Sequence, residues 1–326
     1  MPGQSGDDTE SVSRIRTPAG TLLGRVWPSD AFDRPVAWLT YAGEVWGNVL
    51  VYSSAYISVI AMAEVAIAMM LLSLPANLSP VVIGLVTFSV YTNDRISDAP
   101  TDMVSNPRQA SFVVRHGNEL YVLAALAYGL AITLAVLHGP TALLVTLVPG
   151  VFWIVYASDW VPDVLKGFRR LKEVLVVNSV VVALAWAVTL TFLPLSFTGG
   201  ALTPTVGVVF LYFLVRSFVD TEIPNVRDIE GDRAIDVTTL PVAFGVTRTR
   251  QLLLGVDLLT LAFVVLAART GLVSPIAAVA LTAGIVVSMA VVSMVGRIDD
   301  IDTLSIASQF EYLVVFAVLA TALYGP

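Results

Sequence analysis

Residues 120–137 read LYVLAALAYGLAITLAVL, eighteen consecutive positions without a charge. At about 1.5 Å of rise per residue, such a run as a helix spans about 27 Å, close to the roughly 30 Å hydrocarbon core of a bilayer. A strand of a membrane barrel would alternate apolar with polar residues, and this stretch does not. Comparable blocks recur along the 326-residue chain, at about 48–74, 76–92, 119–138, 140–157, 172–194, 203–220, 250–269, 273–295 and 303–323. They predict an all-α, polytopic membrane protein of about nine transmembrane helices.

Composition agrees. Hydrophobic residues make up 56% of the chain and charged residues 13%, with a mean hydropathy of +0.82; soluble domains carry about twice that share of charge. A net charge of -7 and a pI near 4.8 remove the basic footprint that nucleic-acid binding needs, so no nucleic-acid partner is expected. The absence of cysteine excludes disulfides, thiolate metal sites and a cysteine nucleophile. Neither His116 nor His138 has a neighbour at metal-ligand spacing, and there is no phosphate-cradling glycine loop. Residues 1–45 read as a polar tail and an interfacial segment, and residues 46–326 as one membrane domain. No signal-peptide pattern opens the chain, so the first helix is expected to insert uncleaved.

The connections divide into two kinds. Those after odd-numbered blocks are short and hold Pro or Gly, whereas the tail and the connections after even-numbered blocks are long and charged. Of the 18 basic residues, all but Arg269 fall on the second side. The positive-inside rule makes that side cytoplasmic, together with the amino terminus. An integral protein of the cell membrane is expected.

Chemistry is concentrated in two of the long loops. The first, after the second block, reads Asn93-Asp94-Arg95-Ile96-Ser97-Asp98-Ala99-Pro100-Thr101-Asp102, with Arg108 beyond it. If the helix continues past the membrane edge, Asp94, Asp98 and Asp102 share one face, although Pro100 favours a break or a fresh helix start. Such a run is either a solvated loop or a site for a hard cation. Mg²⁺ takes oxygen ligands and completes its octahedron with substrate phosphate, so acids beside Arg108 suit a diphosphate. The second loop, after the sixth block, runs from Asp220 through Asn225-Val226-Arg227-Asp228-Ile229-Glu230-Gly231-Asp232-Arg233 to Thr239-Leu240-Pro241. Asp228 and Asp232 repeat the spacing of four. Two acid-rich segments on one membrane face can hold metal between them, with Arg227 and Arg233 donating hydrogen bonds to a departing diphosphate.

In these two stretches the chain resembles the UbiA superfamily of intramembrane prenyltransferases, whose members have about nine transmembrane helices and aspartate-rich motifs after the second and sixth. The stretch from Asn225 to Arg233, followed by Thr239-Leu240-Pro241, is similar to the second family motif, and Asn93-Asp94 to the start of the first. In the usual first motif, acids follow the leading Asp after three and seven residues; here Asp98 and Asp102 come after four and eight. The resemblance covers the chain from about residue 46 onward. It implies a UbiA-like helical bundle, with Mg²⁺ held by Asp94, Asp98, Asp102, Asp228 and Asp232. It implies that Asn93 and Asn225 help bind the diphosphate, with Asp94 and Asp228 central to catalysis. It also implies transfer of an isoprenyl group from a polyprenyl diphosphate to a hydrophobic acceptor in membrane lipid: an aromatic or quinone precursor, a lipid or another isoprenoid.

Several residues have two readings. Lys172, at the start of the fifth block, either reaches the diphosphate as a catalytic cation or snorkels to the interface. Tyr91, Phe152 and Tyr156 either shield an allylic cation or anchor helix ends. Glu64 and Glu311 lie at depths where acids serve function or bond between helices, while Asp257 is expected near a solvated helix end. The alternatives to an enzyme are a transporter or channel whose acidic loops attract cations, and a family member without activity.

Overall fold

The structure is a computed structural model that describes residues 50–157, 177–234 and 237–325. The polar tail expected for residues 1–45 lies outside them, as does Lys172. The named elements are all helices: α1 Ala55–Leu71, α2 Ser79–Ser105, α3 Pro107–Leu137, α4 Pro140–Ala157, α5 Val177–Thr198, α6 Pro204–Asn225, α7 Ile229–Ala234, α8 Leu240–Phe244, α9 Val246–Arg269, α10 Pro275–Met294, α11 Ile301–Ser308 and α12 Phe310–Tyr324. Among the described residues no strand forms, as uninterrupted apolar blocks of helical length dictate.

Prolines set the starts. α2, α3, α6, α8 and α10 each carry Pro in their first two positions, where the missing N–H would have no intrahelical partner anyway. Gly139, at φ 104, makes the tight reversal between α3 and α4 that a side chain would strain.

Five segments are long and apolar enough to cross a bilayer: Pro107–Leu137, Ser179–Thr198, Val246–Arg269, Pro275–Met294 and Ile301–Tyr324. The other four expected crossings fall short for identifiable reasons. α1 has 17 residues, and the described apolar part of α4 ends at Ile154. α2 carries its acids on the same continuous helix, and α6 contains Arg216, Asp220 and Glu222.

Helix faces sort by size. On α3, Ala124, Ala127, Ala131 and Ala135 are buried while Leu123, Leu126, Leu130 and Leu137 point outward. On α9, Leu252, Leu259 and Leu266 recur every seven residues on the exposed face. In water such faces would be a liability, whereas in lipid the leucines cost nothing and the small residues let backbones approach. Gly284 does this between α10 and α12: a methyl group there would lie 2.5 Å from a Val315 methyl.

Packing closes the bundle on itself. α1 packs on α2, α2 on α4 and α5, α5 on α6, α6 on α9, α9 on α10, α10 on α12, and α12 again on α1. The core runs through this ring as one apolar cluster that includes Ile67, Ile83, Leu190, Phe213, Leu281 and Val315.

Candidate functional site

The apolar part of α2 ends at Thr92, yet the helix runs on to Ser105 with Pro100 inside it. The break expected at Pro100 is therefore absent. What holds the extension is a small apolar cluster of Ala99 with Val113 and Leu120 of α3, against which Ile96 and Phe112 pack; tertiary burial outweighs the hydrogen bond that proline forfeits. Only Asn106 stops the helix, and its side chain caps α3 by accepting from the Gln109 N–H at 3.3 Å. His116, expected in a loop, lies within α3 at a non-helical φ/ψ that kinks it.

A continuous helix puts Asp94, Asp98 and Asp102 on successive turns of one face. Asp94 Oδ1 accepts a hydrogen bond from the Trp153 indole N–H of α4 at 3.1 Å. Asn93 Nδ2 donates to the Ser89 carbonyl at 2.9 Å, which fixes the side chain along its own helix.

The second acidic stretch begins where α6 ends. Asn225 Nδ2 donates to Glu222 Oε2 at 3.2 Å and reaches Ser179 of α5 at 3.5 Å. The chain then turns into α7, where the Asp232 N–H bonds to the Asp228 carbonyl at 2.8 Å, one turn apart. Thr239 Oγ1 donates to Asp232 Oδ2 at 3.2 Å, tying the Thr239-Leu240-Pro241 segment back to the motif. Arg227 grips Asp228 with two N–H groups, Nε at 2.7 Å and Nη2 at 2.8 Å, while its Nη1 donates to Asp302 of α11 at 2.6 Å.

α2 packs against α7, so the two acidic stretches meet at one end of the bundle. Their fields overlap. Asp102, more than two turns beyond the apolar part of α2, is pushed up to about 6 by burial first, then by the negative charges of Asp98 and Asp228, while Arg227 and Arg95 oppose the shift. Like charges gathered around one space are what a cation relieves.

Among the described residues, no three acidic or histidine side chains stand close enough to cage an ion unaided. Mg²⁺ does not require that. It binds one or two carboxylates and fills its remaining positions with water and substrate phosphate. The Arg227 guanidinium already seats a positive group on both oxygens of Asp228, and the donors are hard carboxylates, so these residues suit Mg²⁺. Arg108 and Arg233 are exposed at this end.

An apolar cavity of about 160 Å³ opens beside Asp94, between α2, α4 and α5. Tyr91, Phe152, Trp153 and Trp186 line it, with Val90, Val181 and Val182. The Tyr91 and Trp186 rings stack at 5.7 Å and 25°. The result is a greasy slot with one acid in its lining. Tyr91 and Phe152 were anticipated as shields; of Tyr156, the side chain is not described. Trp153, Trp186 and Asp302 were not anticipated. An indole N–H facing an acid across 59 positions leaves no local trace, and Asp302, in the first turn of α11, belongs to no motif.

A second polar cluster lies deep in the bundle. Arg216 of α6 is fully buried and ion-pairs with Asp257 of α9 and Glu311 of α12. Its Nε donates to Glu311 at 2.8 Å and its Nη2 to Ser288 at 2.6 Å, and Ser288 donates to Asp257 at 3.2 Å. Asp257 is thus not at a solvated helix end, and Arg216 does not belong to the loop charges. α9 extends beyond the apolar block on which its expected depth was based, from Val246 rather than residue 250, which sets Asp257 inside the bundle opposite Arg216. Glu311 stands in the first turn of α12, which is near the middle of the Ile301–Tyr324 span. Nearby, the Tyr312 hydroxyl donates to Asp220 at 2.6 Å.

An all-helical bundle with apolar outer faces and five segments long and apolar enough to cross a bilayer defines an integral membrane protein. The sequence profile of the UbiA prenyltransferase family matches residues 65–310, and the chain belongs to that family. Solved structures share the architecture. A UbiA homolog from Aeropyrum pernix K1, in its apo form, superposes with a TM-score of 0.61 at 13% identity, covering 82% of this chain and 98% of that one. A UbiA homolog from Archaeoglobus fulgidus bound to GPP and Mg²⁺ gives 0.58 at 15%, covering 84% and 99%. A structure concerned with digeranylgeranylglyceryl phosphate synthase gives 0.53 at 15%, covering 85% and 97%. At such identities these likenesses establish the fold. No curated protein sequence matches.

Proposed function

We propose that this protein is a Mg²⁺-dependent prenyltransferase that moves an isoprenyl group from a polyprenyl diphosphate to a hydrophobic acceptor dissolved in the bilayer. The observation that carries this reading is that one helix, α2, joins two features: its outer turns, at Asp102, meet the second acidic stretch, and its Asp94 lines an aromatic-walled apolar cavity. Membership of the prenyltransferase family and the Archaeoglobus fulgidus homolog bound to GPP and Mg²⁺ support it.

Asp94, Asp98, Asp102, Asp228 and Asp232 would hold the metal, which when bound neutralises the charge growing on the leaving diphosphate. Arg227 donates hydrogen bonds to that diphosphate, joined from the rim by Arg108 and Arg233, with Asn93 and Asn225 beside it. Lys172 is assigned to the same task from the start of the fifth block. The isoprenyl chain lies in the cavity between α2, α4 and α5. There Tyr91, Phe152 and Trp186, which line the cavity, would stabilise the allylic carbon as its bond to oxygen breaks, and their bulk keeps water from quenching it. The acceptor enters from lipid, forms the new bond to that carbon and loses a proton.

In this reading α1, α2, α4 and α6 cross the membrane together with the five longer spans, giving nine. The acidic end faces the cytoplasm of a cell-membrane protein, residues 1–45 precede the membrane domain, and residues 46–326 form it.

The purified protein in lipid nanodiscs, given an allylic prenyl diphosphate and total membrane lipid, is expected to release diphosphate and form a prenylated lipid only with Mg²⁺ present. Diphosphate release unaffected by chelator, or ion flux in liposomes without any donor, sinks the proposal. The pH response has a defined sign. Asp102 is ionised above about pH 6 and protonated below it, and protons compete with metal for a carboxylate. The Mg²⁺ concentration for half-maximal rate should therefore rise as pH falls from about 7.5 to about 5.5.

A further inference from the structure

We infer that Asp302, on α11 and outside both acidic motifs, is a positioning residue that anchors Arg227 when a metal-bound diphosphate occupies the site; the inference rests on the diphosphate reading above. Arg227 bridges two acids of different standing. On one side it chelates Asp228, a proposed metal ligand, through Nε and Nη2. On the other, Nη1 bonds to Asp302 at 2.6 Å, and Asp302 is 75 residues away in sequence and belongs to neither motif.

A metal cation and a guanidinium compete for one carboxylate. When Asp228 turns to metal, the Nε–Nη2 edge of Arg227 loses its partner, and that edge is the planar fork that fits two phosphate oxygens. With no second anchor, a side chain with four rotatable bonds would be released to solvent, and ordering it again would oppose binding. Asp302 supplies the anchor. The exchange then trades one bidentate partner for another while the guanidinium stays in place.

Asp302 is not spoken for by its own helix. The cap of α11 is Asp300, whose Oδ1 accepts from the Thr303 N–H at 3.0 Å and whose Oδ2 accepts from the Thr303 hydroxyl at 2.6 Å. Arg227 is the more sheltered partner, its side chain 24% exposed, and its charge reaches Asp102 on α2. The Asp302 side chain is 47% exposed, so an exposed pair of this kind adds little stability by itself; its geometry points to placement of Arg227.

The test is a double-variant cycle on the full-length protein in nanodiscs, reading equilibrium binding of radiolabelled inorganic pyrophosphate at fixed Mg²⁺. Asp302→Asn is expected to weaken binding about tenfold, the scale of an outer-shell partner at a metal site. Asp302→Glu, which keeps the charge, is expected to recover most of that loss. In an Arg227→Gln background, Asp302→Asn should have no further effect, because a residue acting only through Arg227 has nothing left to position. Losses that multiply in the double variant, or an Asp302→Asn protein that binds as tightly as wild type, overturn the inference. A wild-type protein that binds no pyrophosphate with Mg²⁺ overturns the proposed function itself, and this inference with it.

Discussion

Asp228→Ala is expected to cut prenyl transfer by about a thousandfold or more while leaving the protein folded. Removing a single neutral donor to a developing oxyanion costs about 10² to 10³ in rate. Asp228 is charged and is proposed to bind metal, so its loss removes more. It also strands Arg227, which now spends two N–H groups on that carboxylate. Folding should survive because Asp228 is 28% exposed and its pair with Arg227 is a part-solvated contact worth little to stability. The check is single-turnover diphosphate release alongside thermal unfolding. Near-normal release from the folded variant would remove the second acidic stretch from the mechanism.

Arg216→Met should do the reverse, with a stability loss far larger than its distance from the acids of the site would suggest. Arg216, Asp257 and Glu311 have fully buried side chains. Deleting the one cation leaves two carboxylates facing each other in a low-dielectric interior, and breaking such a buried pair costs about 3 to 5 kcal/mol. The remedy follows from the same physics. Combining Arg216→Met with Asp257→Asn and Glu311→Gln removes the stranded charges and should restore most of the loss, since buried ionic groups replaced together by neutral ones often cost nothing. Thermal unfolding in detergent checks both. If the triple variant is less stable than Arg216→Met alone, the cluster is not an ion-paired clamp between α6, α9 and α12.

How much of this could be read from the sequence differs by kind of feature. Apolar block length gave the all-helical class directly, because the hydrocarbon thickness acts on length alone. It gave crossings less well. α2 is an apolar helix that becomes polar without ending, and α6 carries Arg216 whose partners lie 41 and 95 residues away; a local window sees the charge and not the pair. The spacing of Asp94, Asp98 and Asp102 did point to one helix face, but continuity through Pro100 depended on Ala99, Val113 and Leu120 burying together, a tertiary term. The same holds for the site. The acids announce themselves by density and period. Trp153, Trp186 and Asp302 enter through folding alone, one as an indole N–H on Asp94, one as a ring stacked on Tyr91, one as the far anchor of Arg227.

The most direct test is to locate the metal. Crystals or grids of the protein with Mn²⁺ in place of Mg²⁺ and a non-hydrolysable prenyl diphosphate analogue should show anomalous or strong density between the Asp94–Asp102 face of α2 and Asp228–Asp232, with the tail of the analogue beside Tyr91 and Trp186. Metal bound elsewhere, or an analogue seated away from both acidic stretches, would contradict the shared site on which the proposed chemistry depends.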